Sequence, residues 1–185
     1  MRRAELTEGE EARPHANVSR LFVGITAAAG AVQFGDLGGW LRATMTSRQT
    51  QEVAVKMIQF AELIVFLSCF TFDLEEMCNA LKGSARRKVP TYVVADRRHA
   101  HSGTTQRMLS RIQDLKDNGV KVFLSNGEFG GIQHSKTLRV DGLAICGSTN
   151  WTTSSRANTE LSLLIELNRE GFRAWESFTT KLVDG

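Results

Sequence analysis

The run from Leu63 to Phe70 limits the possible folds of this chain more than any other segment. Its sequence is LIVFLSCF, in which Ser68 is the only polar residue. A strand that is apolar on both faces has to be covered on both faces, as strands in the centre of a layered sheet are. Apolar residues at helical spacing precede the run at Thr50–Glu62. The sequence therefore predicts an α/β layered domain, with a central, mostly mixed β-sheet flanked by helices.

Further helices and strands alternate along the chain. Apolar stripes predict a second helix after Asp73 that ends near Arg86, a third that runs to Lys116, and a last one that contains Phe172 and Trp175. No periodic pattern indicates an element between Leu37 and Ser47. The remaining predicted strands are Arg20–Ile25, Thr91–Ala95, Val120–Leu124, Lys136–Val140, Leu143–Cys146 and Leu161–Leu167.

Length and composition indicate one globular domain. The chain has 185 residues, of which 42% are hydrophobic and 23% are charged, and its formal net charge is +3. Residues 1–19 are polar and predict a mobile N-terminal tail, which leaves 20–185 as a single domain. The apolar run Leu21–Phe34 is too short and too rich in glycine to predict a membrane span. Three cysteines without metal-ligand spacing predict buried thiols and favour a reducing compartment, the cytoplasm.

A polar hairpin near the C-terminus contains the residues that point to chemistry. Asp141-Gly142 is a strong two-residue turn signal between two short strands. Alternation along the first strand predicts that His134 and Lys136 project from one face. After the second strand, Gly147 supplies a bend, and a hydroxyl and a carboxamide follow it at positions 148 and 150.

These residue types suit phosphoryl transfer. A neutral imidazole at His134 can attack phosphorus and form a covalent intermediate. Lys136, with Ser148 and Asn150, can donate hydrogen bonds to phosphoryl oxygens. Glu160 could accept the second imidazole N–H and so fix its orientation. The alternative is that a His-x-Lys pair on a strand is a surface pair without function; the polar residues that follow argue against this.

The motif resembles the signature of the phospholipase D superfamily, His-x-Lys-x4-Asp followed by Gly-Ser-x-Asn. It is matched by His134, Lys136, Asp141 and the run that begins at Gly147. Five residues separate Asp141 from Gly147, where the family usually has six. The resemblance extends in element order from Arg20 to the C-terminus. It implies a phospholipase D-like catalytic domain at 20–185.

The resemblance also implies how such a chain works. Family members use two His-x-Lys motifs, and this chain has one, so a homodimer with a shared active site is implied. One His134 would be the nucleophile and its partner copy the general acid. Lys136, Gly147, Ser148 and Asn150 would hold the phosphoryl group, and Asp141 would fix the hairpin. No metal and no cofactor are implied.

The substrate is a choice among phosphodiesters. Small size, the basic loop Arg97–His101 and the lack of a convincing membrane element favour nucleic acid, cleaved by an endonuclease. The alternatives are a hydrolase of phospholipids such as cardiolipin, a nucleic-acid-binding module that has lost catalysis, and half of a longer two-motif protein. His99 and His101 lack a metal-binding partner at suitable spacing, which predicts a solvated loop at the mouth of the site.

Overall fold

The structure is a computed structural model that describes residues 32–33, 39–102, 106–127 and 130–184. The predicted tail at 1–19 and the predicted strand Arg20–Ile25 lie outside these ranges. The strands are β1 (Val32–Gln33), β2 (Gly39–Met45), β3 (Val65–Cys69), β4 (Thr91–Asp96), β5 (Lys121–Ser125), β6 (Thr137–Val140), β7 (Leu143–Gly147) and β8 (Ser162–Leu167). The helices are α1 (Ser47–Gln59), α2 (Glu75–Arg86), α3 (Arg97–His101), α4 (Gln106–Asp117) and α5 (Arg169–Asp184), with a 3-10 turn at Ser154–Ala157.

The described strands form one mixed sheet in the order β1-β2-β8-β7-β6-β3-β4-β5. Strands β3, β4 and β5 are parallel. On its other side β3 pairs with β6 in antiparallel orientation, and the pairings from β6 to β1 are all antiparallel. The prediction of a mixed central sheet in an α/β domain is confirmed.

Helices cover both faces of the sheet. On one face α1 packs against α2 and also contacts β6. Leu67 and Leu138, which pair across β3 and β6, are fully buried in the main core cluster. Arg139 follows Leu138 and therefore points to the opposite face. There its guanidinium lies 4.7 Å from the ring centroid of Phe172 in α5. All five residues of β3 are buried, as predicted for a central strand.

Strand β2 was not predicted, and a β-bulge explains why. Ala43 and Met45 are buried and Thr44 is exposed, which is the alternation of a half-buried strand. However, the register against β8 shifts between Leu41 and Ala43. The extra residue, Arg42, forms an ion pair with Glu166. A bulge breaks the period-two pattern by which a strand is read from sequence.

Two boundaries near the hairpin also differ from the predicted ones. The stretch Arg97–His101, predicted as a basic loop, forms the short helix α3. The Asp96 side chain caps this helix by accepting the backbone N–H of His99 at 2.6 Å. Strand β6 begins at Thr137, one residue after Lys136. His134 and Lys136 therefore lie in a segment without regular secondary structure that leads into β6.

Asp141 links the turn of the hairpin to a distant connection. It adopts a left-handed backbone conformation, with φ of 52°, between Val140 and Leu143, which pair directly. Its carboxylate accepts three backbone N–H groups, from Glu62 at 3.0 Å, Leu63 at 2.8 Å and Ile64 at 2.9 Å. The side chain therefore holds the β6–β7 hairpin against the segment that joins α1 to β3.

This arrangement predicts a large loss of stability for Asp141→Ala. The substitution leaves three N–H groups without an acceptor and places alanine at positive φ, so we expect a loss of about 2–4 kcal/mol in the free energy of unfolding. Asp141→Asn tolerates the backbone conformation but lacks the second carboxylate oxygen, so its loss should be smaller. Urea titration followed by circular dichroism measures both. Equal stability of Asp141→Ala and wild type would contradict this role.

Candidate active site

The candidate residues meet at one edge of the sheet. The carboxyl ends of β3, β4 and β5 lie there, because these strands are parallel. The amino end of β6 lies beside the carboxyl end of β3, since Ser68 pairs with Thr137. Gly147 at the end of β7 pairs with Ser162 at the start of β8. Topology alone thus brings residues from 68 to 162 to the same edge.

The backbone on both sides of His134 is held by side chains. Asp96 is fully buried at the end of β4, and its carboxylate accepts the backbone N–H of Gln133 at 2.7 Å. The carboxamide oxygen of Gln133 in turn accepts the backbone N–H of Ser135 at 2.7 Å. Two successive hydrogen bonds therefore hold the backbone at Gln133 and at Ser135, on either side of His134.

A row of hydroxyl groups fixes the same segment to the central strand. The Ser68 hydroxyl lies 2.7 Å from those of both Ser135 and Thr137. The Ser135 hydroxyl is also 3.1 Å from the carboxamide oxygen of Gln133, which can only accept. A consistent direction of donation therefore runs from Thr137 through Ser68 and Ser135 to Gln133.

The imidazole of His134 is exposed on one side and packs on the other. Its ring centroid lies 5.0 Å from that of Phe70, in an edge-on arrangement. Partial burial and the positive charge of Lys136 lower the pKa of His134 below 6.5, while the Asp96 carboxylate acts in the opposite direction. The lowered pKa favours the neutral imidazole, which is the form that can act as a nucleophile.

Lys136 places a buried ammonium group beside His134. The residue is 7% exposed, and its Nζ donates a hydrogen bond to the backbone oxygen of His134 at 2.8 Å. Nζ also lies 5.7 Å from the ring centroid of Phe70. Burial lowers the pKa of Lys136, and the nearby Glu160 carboxylate raises it. A desolvated cation at this position can stabilise negative charge strongly.

Close packing against the start of β8 determines the Gly147–Ser148 bend. A Cβ atom on Gly147 would lie 2.4 Å from the backbone oxygen of Leu161, so only glycine fits there. The backbone N–H of Ser148 donates to that same oxygen at 3.1 Å, and the Ser148 hydroxyl accepts the N–H of Leu161 at 3.2 Å. The hydroxyl itself remains at the surface.

Asn150 is half-buried, and its side-chain oxygen is enclosed without a hydrogen-bond partner among the described residues. Its backbone oxygen accepts a hydrogen bond from Gln51 at 2.9 Å. The next residue, Trp151, is fully buried, and its indole N–H donates to the backbone oxygen of Ser68 at 3.3 Å. The Asn150 backbone is thus anchored to α1 and, through Trp151, to β3.

Glu160 is half-buried just before β8, and its carboxylate accepts a hydrogen bond from Asn158 at 3.2 Å. Its charge acts on the pKa of Lys136, whereas the charged groups that act on the pKa of His134 are Lys136 and Asp96. The charge of Glu160 therefore acts on the lysine of the candidate site.

Sequence reasoning missed several residues that organise the site. Phe70 packs against His134, while Asp96 and Gln133 hold its backbone. Asp96 directly follows the predicted strand Thr91–Ala95, and a polar residue at that position was the available signal. Nothing local indicated Phe70. His99, predicted to lie in a solvated loop, stacks on Phe70 with ring centroids 4.3 Å apart, whereas His101 is exposed.

Metal binding and membrane insertion each require a recognisable set of residues. Among the described residues, no three His, Cys, Asp or Glu side chains are grouped as they would be around a metal ion. Of the helices that the structure describes, none has the length and apolar character needed to span a bilayer. The three cysteines are free thiols, and Cys69 and Cys78 are buried.

Comparisons with known proteins agree with the fold. The phospholipase D family member Nuc from Salmonella typhimurium is 20% identical with a TM-score of 0.64, over 77% of this chain and 92% of Nuc. NucT from Helicobacter pylori is 21% identical with a TM-score of 0.65, over 77% of this chain and 94% of NucT. TrmBL2, an archaeal chromatin protein whose structure shows a novel mode of DNA binding, is 15% identical with a TM-score of 0.53, over 89% of this chain and 57% of TrmBL2.

The sequence comparison identifies the family. No functionally curated protein matches the sequence significantly. The profile of the family described as "Cardiolipin synthase, PLD-like domain" matches residues 54–180, a range that contains the whole hairpin motif and Glu160. With the fold and the site arranged as described above, the chain belongs to the phospholipase D superfamily.

Proposed function

We propose that this protein is a metal-independent phosphodiesterase that cleaves nucleic acids as an endonuclease, through a covalent phosphohistidine on His134. The observation that carries the proposal is the exposed imidazole of His134 beside the buried ammonium of Lys136 at the edge of the sheet. The imidazole attacks phosphorus, and the ammonium stabilises the charge on the non-bridging oxygens. Membership of a superfamily of typical phosphodiesterases supports the same reaction class.

The residues after β7 complete the site in this mechanism. Attack by His134 forms an N–P bond and breaks the bond from phosphorus to the leaving oxygen, which must receive a proton. Ser148 and Asn150 supply neutral donors to the phosphoryl oxygens. Water then attacks the phosphohistidine and releases the second product, which restores the imidazole.

The general acid comes from a second copy of the chain in this proposal. One chain has one His-x-Lys motif, so a two-fold axis beside the site would supply the partner imidazole. Two exposed apolar side chains near the motif support such a contact. Ile132, two residues before His134, is 48% exposed, and Leu161, next to Glu160, is 60% exposed. The paired imidazoles would titrate together, so their protonation belongs to the pair.

Basic residues beside the site support a nucleic-acid substrate. Arg97 and Arg98 are both exposed on α3, which begins directly after Asp96. Exposed guanidinium groups beside the candidate site suit contacts with neighbouring phosphates of a polymer. Binding should then weaken steeply as salt concentration rises.

A phospholipid substrate is the second candidate, favoured by the description of the matching family as a cardiolipin synthase domain. The same imidazole and ammonium would act on the phosphodiester of a lipid head group. A liposome assay distinguishes the two, since turnover of cardiolipin vesicles without cleavage of nucleic acid would establish this candidate.

The first prediction concerns His134→Ala. We expect wild type to cleave single- or double-stranded DNA or RNA in excess EDTA, and the variant to lose at least about a thousandfold in rate because the nucleophile is absent. His101→Ala is the matched control, because that imidazole is exposed two positions beyond His99 and should retain wild-type activity.

Cleavage by His134→Ala at the wild-type rate would overturn the mechanism. Tight binding of nucleic acid by a wild-type protein that cleaves neither nucleic acid nor lipid would instead identify a binding module.

The second prediction tests the shared site by subunit mixing. If each site needs two copies of His134, activity should follow the square of the wild-type fraction. After unfolding and refolding of an equal mixture of wild type and His134→Ala, the activity should be about a quarter of that of the same total amount of refolded wild type. A residual activity of about half would show that each chain works alone, as would a monomer in analytical ultracentrifugation.

The third prediction concerns Glu160→Gln, which should lower the rate less than His134→Ala does. Lys136 is charged only below its pKa, which burial lowers and Glu160 raises. Loss of Glu160 lowers this pKa further, so KM should begin to rise at a lower pH than in wild type. Glu170→Gln, an exposed position on α5, is the control. An unchanged pH dependence of KM would remove Glu160 from the site.

A further inference from the structure

The orientation of the His134 imidazole depends on fewer contacts than that of its backbone. The peptide groups on either side are fixed by Asp96 and Gln133. The ring itself is different. Within residues 39–102, 106–127 and 130–184, no side chain hydrogen-bonds the imidazole, and its ring contact is Phe70 at 5.0 Å between centroids. Among the described residues, an aromatic side chain therefore packs against the imidazole ring, and no carboxylate is hydrogen-bonded to it.

Phe70 is itself held firmly. It follows directly after the buried strand β3, and its ring is half-buried. His99 lies against it at 4.3 Å between centroids with an interplanar angle of 31°, close to a stacked arrangement. His99 is placed by the cap of α3, in which the Asp96 carboxylate accepts the His99 N–H. The ring of Phe70 therefore has few orientations open to it.

The Asp96 carboxylate joins these two sets of contacts. One oxygen accepts the backbone N–H of His99, and the other accepts the backbone N–H of Gln133. The first contact leads through His99 to Phe70 and the ring of His134. The second leads through Gln133 to the backbone of His134. The buried Asp96 carboxylate therefore links the Phe70 contact of the His134 ring to the backbone segment that contains His134.

From this geometry we propose that Phe70 is a positioning residue, which sets the orientation of the His134 imidazole and shields the Lys136 ammonium from water. The proposal deepens the function proposed above and rests on it. The edge-on contact restricts rotation of the imidazole about its side-chain bonds. The Lys136 ammonium, 5.7 Å from the same ring centroid, gains a cation–π contact in place of water.

Positioning by an apolar ring has a chemical consequence. A carboxylate against the imidazole would stabilise its protonated form and raise its pKa. A phenyl ring orients the imidazole and also disfavours its positive charge. The direction of the pKa shift of His134 agrees with this, and the groups around the ring are Lys136, Asp96 and, across Phe70, His99. Orientation and neutrality of the nucleophile would then have one source.

The test compares Phe70→Leu and Phe70→Tyr with wild type. Phe66→Leu is the matched control, because Phe66 lies on β3, the strand that Phe70 directly follows, but stacks on Tyr92, with ring centroids 6.4 Å apart. The readouts are kcat and KM for whichever phosphodiester the wild type cleaves, and the titration of His134 by NMR. With four histidines in the chain, His→Ala variants assign each resonance.

We expect Phe70→Leu to lower kcat about tenfold to a hundredfold with little change in KM, because the nucleophile is present but poorly oriented. The titration midpoint of His134 should rise towards 6.5 as its burial is lost. Phe70→Tyr and Phe66→Leu should both keep the wild-type kcat and the wild-type titration midpoint of His134. Wild-type kcat and an unchanged midpoint in folded Phe70→Leu would overturn the proposal.

A measurement on wild type keeps the test independent of how the variants fold. Nuclear Overhauser effects between the ring protons of Phe70 and those of His134 are expected, and their absence would overturn the proposal. These NMR measurements also distinguish failure of the proposed phosphodiesterase function from failure of the positioning role of Phe70. A wild type that cleaves no phosphodiester while showing the ring contact and the lowered midpoint would reject the proposed function and retain Phe70 as the group that orients His134.

Discussion

The site depends on how the central strand is paired. Strand β3 has a parallel neighbour on one side and an antiparallel neighbour on the other. The parallel strands bring their carboxyl ends, with Phe70 and Asp96, to one edge of the sheet. The antiparallel strand brings its amino end, with His134 and Lys136, to the same edge. Ligands of open α/β sheets commonly bind outside the carboxyl ends of the strands.

The electrostatics of the site follow from this packing. Lys136 is buried at this edge of the sheet although its charge is costly to desolvate. Its Nζ is compensated by the backbone oxygen of His134, the face of Phe70 and the charge of Glu160. Burial also lowers the pKa of the neighbouring His134 imidazole. Two basic side chains thus lie close together in one partly apolar environment, which disfavours the charged form of each.

Sequence reasoning was sufficient where the signal was local. The hairpin, the buried central strand and most helices come from periodicity and turn residues that are near one another in the chain, and the structure confirms them. Strand β2 was missed because its bulge breaks the pattern. The contacts of His134 could not be predicted, since Phe70 and Asp96 lie far from it in sequence. Glu160 was expected to orient His134, a role that remains a prediction, and its charge acts on Lys136.

The hydrogen bonds of Asp141 have a consequence for the order of folding. Its carboxylate joins positions 79 residues apart, and the enclosed segment contains β3, β4 and β5. Closing so long a loop carries an entropic cost that has to be met before the contact gives any stability. Assembly of the parallel strands shortens this loop, so docking of the β6–β7 hairpin becomes more favourable once they have formed. The segment that contains His134, which leads into the hairpin, should then become ordered late in folding.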